Sequence, residues 1–271
     1  MPLPLMPYTS RPNLRLKNLI KGAGLLANLK ICLDPGDRNS WPGSGSTWFD
    51  VSGNGYHFTL GSAASPVASG PSFVGTVGDM SANEYWSSAG GQGFSLASGA
   101  NDTFLNSLHK LGGQWMALEL CFTTTGYGAG FNTHTGVIGN TTVGIGLMQV
   151  PGLFPQSVVG NGSQQVNGQS SVAGANNAIQ LYGWGRKITS TTSRDAAFYC
   201  NSTYEISTGT SSFTPSASNA SLAARLGLTS DGSTAMTAGR RLYGFAMFDR
   251  ILTQAECDAL RARFLKRWSG F

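Results

Sequence analysis

Hydrophobic and polar residues alternate in short runs through most of this chain, with clusters of Gly, Ser, Thr and Asn between them. The clearest run, "QWMALELCFT", sets Met116, Leu118, Leu120 and Phe122 on one face and Trp115, Ala117, Glu119 and Cys121 on the other. Alternation bounded by turn residues predicts strands. Further candidates are 29–33, 136–139, 144–150, 178–184, 196–206, 222–228 and 241–249. In "TWFDVSGNGYHFTL", Asn54-Gly55 separates two apolar runs and marks a tight turn, because both residues tolerate positive φ. The strands suffice for two packed antiparallel sheets. No internal repeat is visible, which argues against a propeller or β-helix. The polar stretches 151–177 and 207–221 are expected to be long loops, and "NDTFLNSLHKL" a short helix.

The two ends differ from the middle. "RRLYGFAMFDRILTQAECDALRARFLKRW" (240–268) begins as a strand with apolar residues on both faces and turns into a helix over 254–268. Thr253 and Glu256 have capping-box spacing, and basic residues crowd the last turn. Cys257, Leu260, Phe264 and Trp268 fall at helical spacing to pack on the domain, leaving Arg261, Arg263, Lys266 and Arg267 to solvent or a partner. At the other end, Pro2, Pro4, Pro7 and Pro12 disfavour regular structure. Residues 1–28 are expected to be an arm docking on a neighbouring subunit through Arg11, Arg15, Lys17 and Lys21, and residues 29–271 the domain. A membrane-surface helix in the arm fits less well, since Gly22 and Gly24 weaken it and its apolar face is irregular.

Composition narrows the class. Charged residues make up 11% and hydrophobic ones 41% of 271, a balance of folded rather than disordered chains. The net charge of +5 resides at the ends: residues 1–40 carry +4, residues 240–271 carry +4, and the middle carries −3. Direct nucleic-acid binding would spread basic residues and aromatics along a groove-facing surface, so an acidic protein partner is the better fit. Cys32, Cys121, Cys200 and Cys257 form no CxxC pair and read as reduced buried thiols, although spacing leaves disulfides open. No run approaches the ~18 apolar residues of a membrane span, and "MPLPLMPYTS" lacks the pattern of a cleaved secretory signal.

Catalytic patterns are not visible. A glycosidase needs paired carboxylates, but Glu84, Glu119 and Glu205 have no acidic companion at i+2 or i+4. His57, His109 and His134 accompany no nucleophile-elbow motif. Asp34, Asp37, Asp50 and Asp231 are loop acids that form no calcium-ligand string, and no metal or cofactor is expected. Sugar binding asks for less: aromatic platforms with amide or hydroxyl groups. "TTTGYGAGFNTHTG" offers Tyr127, Phe131, Asn132 and His134, and "LYGWGRK" offers Trp184 and Arg186. The alternative, that these aromatics fold back onto their own sheet or a neighbour, stays open.

Three segments carry a family resemblance: "WFDVSGNGYHFTL", "AAFYCNSTYEIS" leading to "ARLGL", and "LYGFAMFDRILTQAE" with Gly244, Asp249, Arg250, Leu252, Thr253 and Glu256. Together they resemble the laminin-G/concanavalin A-like superfamily in the form found in phage virion proteins. The resemblance spans about 29–268. It implies an all-β, two-sheet antiparallel jelly-roll sandwich, with the N-terminal arm and one C-terminal α-helix added. It also implies a non-enzymatic structural or attachment protein of a virion: a head decoration or spike, or a tail-fibre or baseplate component. Its partners would be other virion proteins and copies of itself, with host surface polysaccharide for the loops, and neither nucleic acid nor membrane. It would be made in the host cytoplasm. A free lectin-like module and a polysaccharide-degrading enzyme are the alternatives.

Overall fold

A computed structural model describes residues 14–61, 70–96, 102–124, 128–132, 142–192, 194–200, 202–209, 212–229 and 235–268. In chain order the strands are β1 Leu29–Leu33, β2 Thr47–Trp48, β3 Phe58–Leu60, β4 Ser72–Val74, β5 Tyr85–Ser87, β6 Phe94–Leu96, β7 Gln114–Phe122 and β8 Gly128–Asn132. They continue with β9 Gly144–Val150, β10 Phe154–Gly160, β11 Gln165–Gln169, β12 Ile179–Ile188, β13 Arg194–Cys200, β14 Thr203–Gly209, β15 Arg225–Leu226 and β16 Arg241–Phe248. Helices are α1 Leu16–Gly22, α2 Thr103–Ser107 and α3 Gln254–Phe264.

The described strands form two antiparallel sheets of a jelly-roll sandwich. One runs β14-β13-β12-β7-β16-β5-β4, with β1 also on β16; the other runs β11-β10-β9-β8-β15-β6-β3-β2. Between them lies an aromatic core in which Trp86 meets Trp41, Trp48 and Phe94 at ring separations of 4.8, 5.6 and 5.3 Å. The first sheet is buried on its outer face as well. Met116, Leu118 and Leu120 of β7 pack with Leu16, Leu19 and Ile20 of α1 and with Cys257, Leu260 and Phe264 of α3. Trp115, Ala117 and Cys121 of the same strand face the inner core. Double burial explains why β7 and β16 are apolar on both faces. In β16 a register shift between Leu242 and Gly244 lets Leu242, Phe245 and Met247 all point inward.

The closing helix starts as its sequence predicts. Thr253 and Glu256 form the reciprocal capping box, and Arg250 grips the Glu256 carboxylate at 2.6 and 2.9 Å. The helix ends at Phe264 rather than 268, yet Trp268 is still buried beyond it. Arg267 is a correction: instead of facing solvent or a partner, its side chain is fully buried against Asp34 and Glu84. Lys266 is exposed.

Two other expectations change. Residues 151–177 are not a loop, because β10 and β11 form a hairpin paired from Gln156–Gln169 to Gly160–Gln165. Polar "QVNGQ" hid β11, since an edge strand needs few apolar side chains. Similarly, 207–221 begins inside β14, and only Arg225–Leu226 of 222–228 is a strand. The 136–139 candidate lies outside the described residues.

The boundary between 28 and 29 does not divide two packing units. Leu16, Leu19, Ile20 and Leu25 are buried against the outer face of the first sheet and α3, so 14–28 belongs to the domain. Its hydrophobic side is already occupied by the chain itself. Ile20→Ala should therefore destabilise the fold by about 2–4 kcal/mol, the usual cost of a buried cavity of that size. Urea unfolding measures this; an unchanged midpoint would show 14–28 to be a detachable arm.

Candidate functional site

The inner row of β12 changes character along its length. Tyr182 and Trp184 stack at 5.6 Å within the core, and the next inward residue is Arg186. Arg186 is buried, and it donates to Ser157 Oγ at 3.0 Å and to the Ser157 carbonyl at 2.9 Å on the opposite sheet. β12 continues into β13 with Arg186 paired to Ala196 and Ile188 to Arg194. Arg194 is also buried, donates to the Thr191 carbonyl at 3.0 Å, and lies over the Phe213 ring at 5.3 Å.

The two guanidiniums share one cleft of about 200 Å³, lined by Gln165, Asn167 and Gly168 of β11 and by Ala196, Ser207 and Gly209 of β13 and β14. β11 and β14 are the terminal strands of their sheets, so the cleft opens at the lateral edge of the sandwich. A side chain at Gly168 would press its Cβ to 2.6 Å from Ala196 Cβ and 3.0 Å from Arg186 Nη2, so only glycine leaves this space. Burial, and after it the Arg194 charge, pulls the Arg186 pKa down to about 10. Burial lowers Arg194 as well.

One end of the edge is closed by Glu205 of β14. Its carboxylate accepts from Ser170 Oγ, from Ser171 N at 2.9 Å and from Ser171 Oγ at 2.5 Å. Burial would raise this carboxyl, but the hydrogen bonds from Ser170, Ser171 and the Val172 N–H outweigh it and hold it below its usual range.

Of the sequence-derived sugar residues, Trp184 and Arg186 are the two whose side chains are described. Trp184 is fully buried and its indole N–H donates to the Met148 carbonyl at 3.2 Å, so it has no face to offer a sugar. Phe131 and Asn132 sit in β8 opposite Leu226 and Arg225 of β15. Tyr127 and His134 lie outside the described residues. Arg186 is the one candidate found lining the cleft. Arg194 was missed. Its signal was present in the alternation Tyr182, Trp184, Arg186, which continues across the hairpin once β12 is extended to Ile188.

Of the expected docking cations, Arg15 pairs with Asp37 at 3.5 Å and Lys17 donates to the Ser52 carbonyl at 3.4 Å. Lys21 is exposed, and Arg11 lies outside the described residues. Of the loop acids, Asp34, Asp37 and Asp50 hold hydrogen bonds or ion pairs within the fold, and Asp231 lies outside the described residues. Asp50 accepts from Cys32 N, Ser52 N and Tyr56 N, and Asn54 Nδ2 donates to the carbonyls of Leu29 and Lys30, which fastens the "DVSGNG" loop to β1. Among the described residues no three of His, Cys, Asp or Glu are grouped to hold a metal. All four cysteines are free and buried, and burial pushes each thiol above its usual range. Glu84 and Glu119 are buried in ion pairs with Arg267 and Arg240.

No protein-family profile matches the chain, and no curated protein matches it. Solved structures do share its fold. A botulinum neurotoxin serotype C1 binding domain matches with a TM-score of 0.58 at 8% identity, covering 88% of this chain and 52% of that one. The binding domain of botulinum neurotoxin DC in complex with SialylT matches at 0.56 and 8%, covering 88% and 52%. A Trypanosoma rangeli sialidase in complex with sialic acid matches at 0.51 and 11%, covering 87% and 33%. The chain thus spans about half the length of these toxin domains or less of the sialidase, and at such identity the likeness is one of fold.

The depressed Glu205 pKa sets a pH test. A carboxyl with a lowered folded pKa stabilises the fold above its unfolded value near 4.5 and loses that contribution as the pH falls. Glu205→Gln should therefore lower the urea midpoint at pH 7, and the gap to wild type should shrink progressively below pH 4.5. A gap independent of pH would refute the Ser170–Ser171 clamp as its cause.

Proposed function

We propose that this chain is a non-enzymatic glycan-binding attachment module that uses the cleft at the open edge of its sandwich. The cleft carries the reading. It joins two amides, a hydroxyl and two guanidiniums on rigid strands, the polar set that orients sugar hydroxyls. Neighbours of the same fold include structures described as bound to SialylT and to sialic acid, which supports the reading by analogy of architecture. The four glutamates support binding over hydrolysis, since each is already engaged: Glu84 and Glu119 in buried pairs, Glu205 in its serine clamp, Glu256 in the helix cap.

The finer reading is that the module is part of a phage-like virion, as a decoration, spike, tail-fibre or baseplate component, where host surface polysaccharide is its target. Support comes from the "DVSGNG" and "DRILTQAE" motifs and from the basic ends of the chain. Because 14–28 is built into the domain, docking to other virion proteins falls to residues 1–13.

Purified protein on a glycan array should bind a defined subset of polysaccharide or oligosaccharide spots; a blank array would defeat the glycan reading. A chain lacking residues 1–13 should fold with an unchanged unfolding midpoint and keep glycan binding, but fail to join particles. Incorporation at full-length levels would defeat docking through that segment.

A further inference from the structure

We infer that residues 212–224 form an acid-opened strap, latched to the sandwich by His109 and released when the imidazole takes up a proton. This switch is independent of the glycan reading. The strap contains no helix or strand, and identifiable contacts hold it down. At its start Phe213 is buried in the inner core, its N–H donates to the Thr191 carbonyl at 2.9 Å, and its ring lies 5.3 Å from the Arg194 guanidinium. Asn161 Nδ2 donates to the Thr214 carbonyl at 2.8 Å, and at the strap's end the Ala224 carbonyl accepts from Leu96 N at 2.8 Å. In between, the strap is fastened to α2 and the residues just after it. His109 Nε2 meets the Ser218 carbonyl at 2.9 Å, Lys110 Nζ donates to Asn219 Oδ1 at 2.7 Å, and Ala220 N donates to Asn106 Oδ1 at 2.9 Å.

The Ser218 bond fixes the state of the ring. A carbonyl can only accept, so Nε2 carries the hydrogen and Nδ1 is the bare nitrogen. His109 is fully buried, and Nδ1 has no hydrogen-bond partner. A second proton would therefore make a buried cation whose new N–H has nothing to donate to. The surroundings supply no anion. The strap, β6, α2 over Thr103–Ser107, the start of β7 over Gln114–Ala117, and the turns at Asn161 and Thr191 carry no charged side chain. Lys110 beside the ring and Arg194 at the strap's start are both cations. Asp102, at the N-cap of α2, is engaged by the Tyr56 hydroxyl at 3.1 Å and by Leu105 N at 2.7 Å.

Hydrating the imidazolium requires one side of its cage to move, and the strap is the side that can. On the other side Leu105 and Leu108 are buried in the inner core, and Trp115 Nε1 donates to the Leu108 carbonyl at 2.9 Å, so α2 and β7 hold the ring in place. Burial, with the Lys110 charge adding to it, outweighs the Ser218 bond and lowers the His109 pKa from its ordinary value of 6.5. The open state, with the ring in water, binds the proton more tightly than the latched one. Latching is therefore complete above pH 6.5 and weakens as the pH falls below it. Release would withdraw Phe213 from the inner core and from Arg194 of the edge cleft.

The test is hydrogen exchange of the full chain, read by mass spectrometry at pH 7.5 and 5.0 with labelling times scaled to the intrinsic rates. Peptides within 212–224 should lose protection about tenfold between the two pH values, a change that one unmatched proton can drive. Peptides of β7 and β12 should keep theirs. His109→Gln, whose amide can still donate to the Ser218 carbonyl but does not titrate, should hold strap protection constant across the range. A chain carrying His57→Gln and His134→Gln keeps His109 as its single histidine. It should respond as wild type does, which keeps the test decisive where His109→Gln does not fold. Unchanged strap protection at pH 5.0 would overturn the inference. So would an undiminished acid response in folded His109→Gln, or a lost response in the single-histidine chain. Equal loss of protection in β7 would overturn it too, by showing general unfolding in place of a latch.

Discussion

One buried guanidinium holds the termini of this domain together. Arg267 reaches both Asp34 oxygens at 2.9 and 2.8 Å, Glu84 at 3.1 Å, and the carbonyls of Leu14 and Ser81 at 3.3 and 3.2 Å. Asp34 also accepts from the backbone of Leu16 and Gly36, and Glu84 from Met80 and Ser81. The segment before α1, the end of β1, the approach to β5 and the end of α3 therefore meet at one side chain. Burial pushes the Glu84 carboxyl up even though Arg267 pulls it down, so the pairing does not fully repay desolvation. Such a cluster contributes more to which segments meet than to net stability. Losing one partner would nevertheless leave buried charge uncompensated, typically at a cost of about 3–5 kcal/mol.

A second buried ion pair acts within the sandwich. Arg240, at the start of β16, bonds Glu119 of β7 and Gln149 of β9, linking the two sheets where the aromatic core gives way to polar residues. The first sheet is thus fixed from both sides, by Arg240 within and by Arg267 at the margin of the helical layer. This explains why the outer layer cannot be regarded as an appendage. α1 and α3 cover the apolar outer surface of β7 and β16, and Arg267 anchors the segment just beyond α3.

How much of this was legible in the sequence follows from the range of each interaction. The Thr253–Glu256 cap and the alternation of β7 are local, and local patterns named them correctly; the Asn54-Gly55 signal holds only in part, since the pair lies within the longer loop joining β2 to β3 and Asn54 is not at positive φ. Gly55 does take a positive φ of 82°. Arg267 looked like one more basic residue of a helix end, because its partners are 183 and 233 positions away. The β10–β11 hairpin was hidden by polar edge residues, and the apolar side of 14–28 gave no sign of which surface it would meet. Trp184 was misplaced by ending its strand too early: with β12 continuing to Ile188, parity sends Trp184 and Arg186 inward together. The candidate site was half legible for the same reason, since the cleft depends on two hairpins from opposite sheets meeting at one edge.

That meeting gives the cleft its chemical character. Along the inner row of β12 the residues pass from Tyr182 and Trp184 to Arg186, and the opposing row passes from Val159 to Ser157 and its partner Gly168. Where apolar volume runs out, the sheets enclose space instead of side chains, and burying cations there opposes stability. Sequences tolerate such local conflicts where another constraint requires them, most often a binding site. On the helical side the apolar face is filled, and the buried guanidinium of Arg267 is paired with Asp34 and Glu84. The two flanks of the first sheet therefore differ, one closing the fold through Arg267 and the other placing Arg186 and Arg194 along the edge cleft.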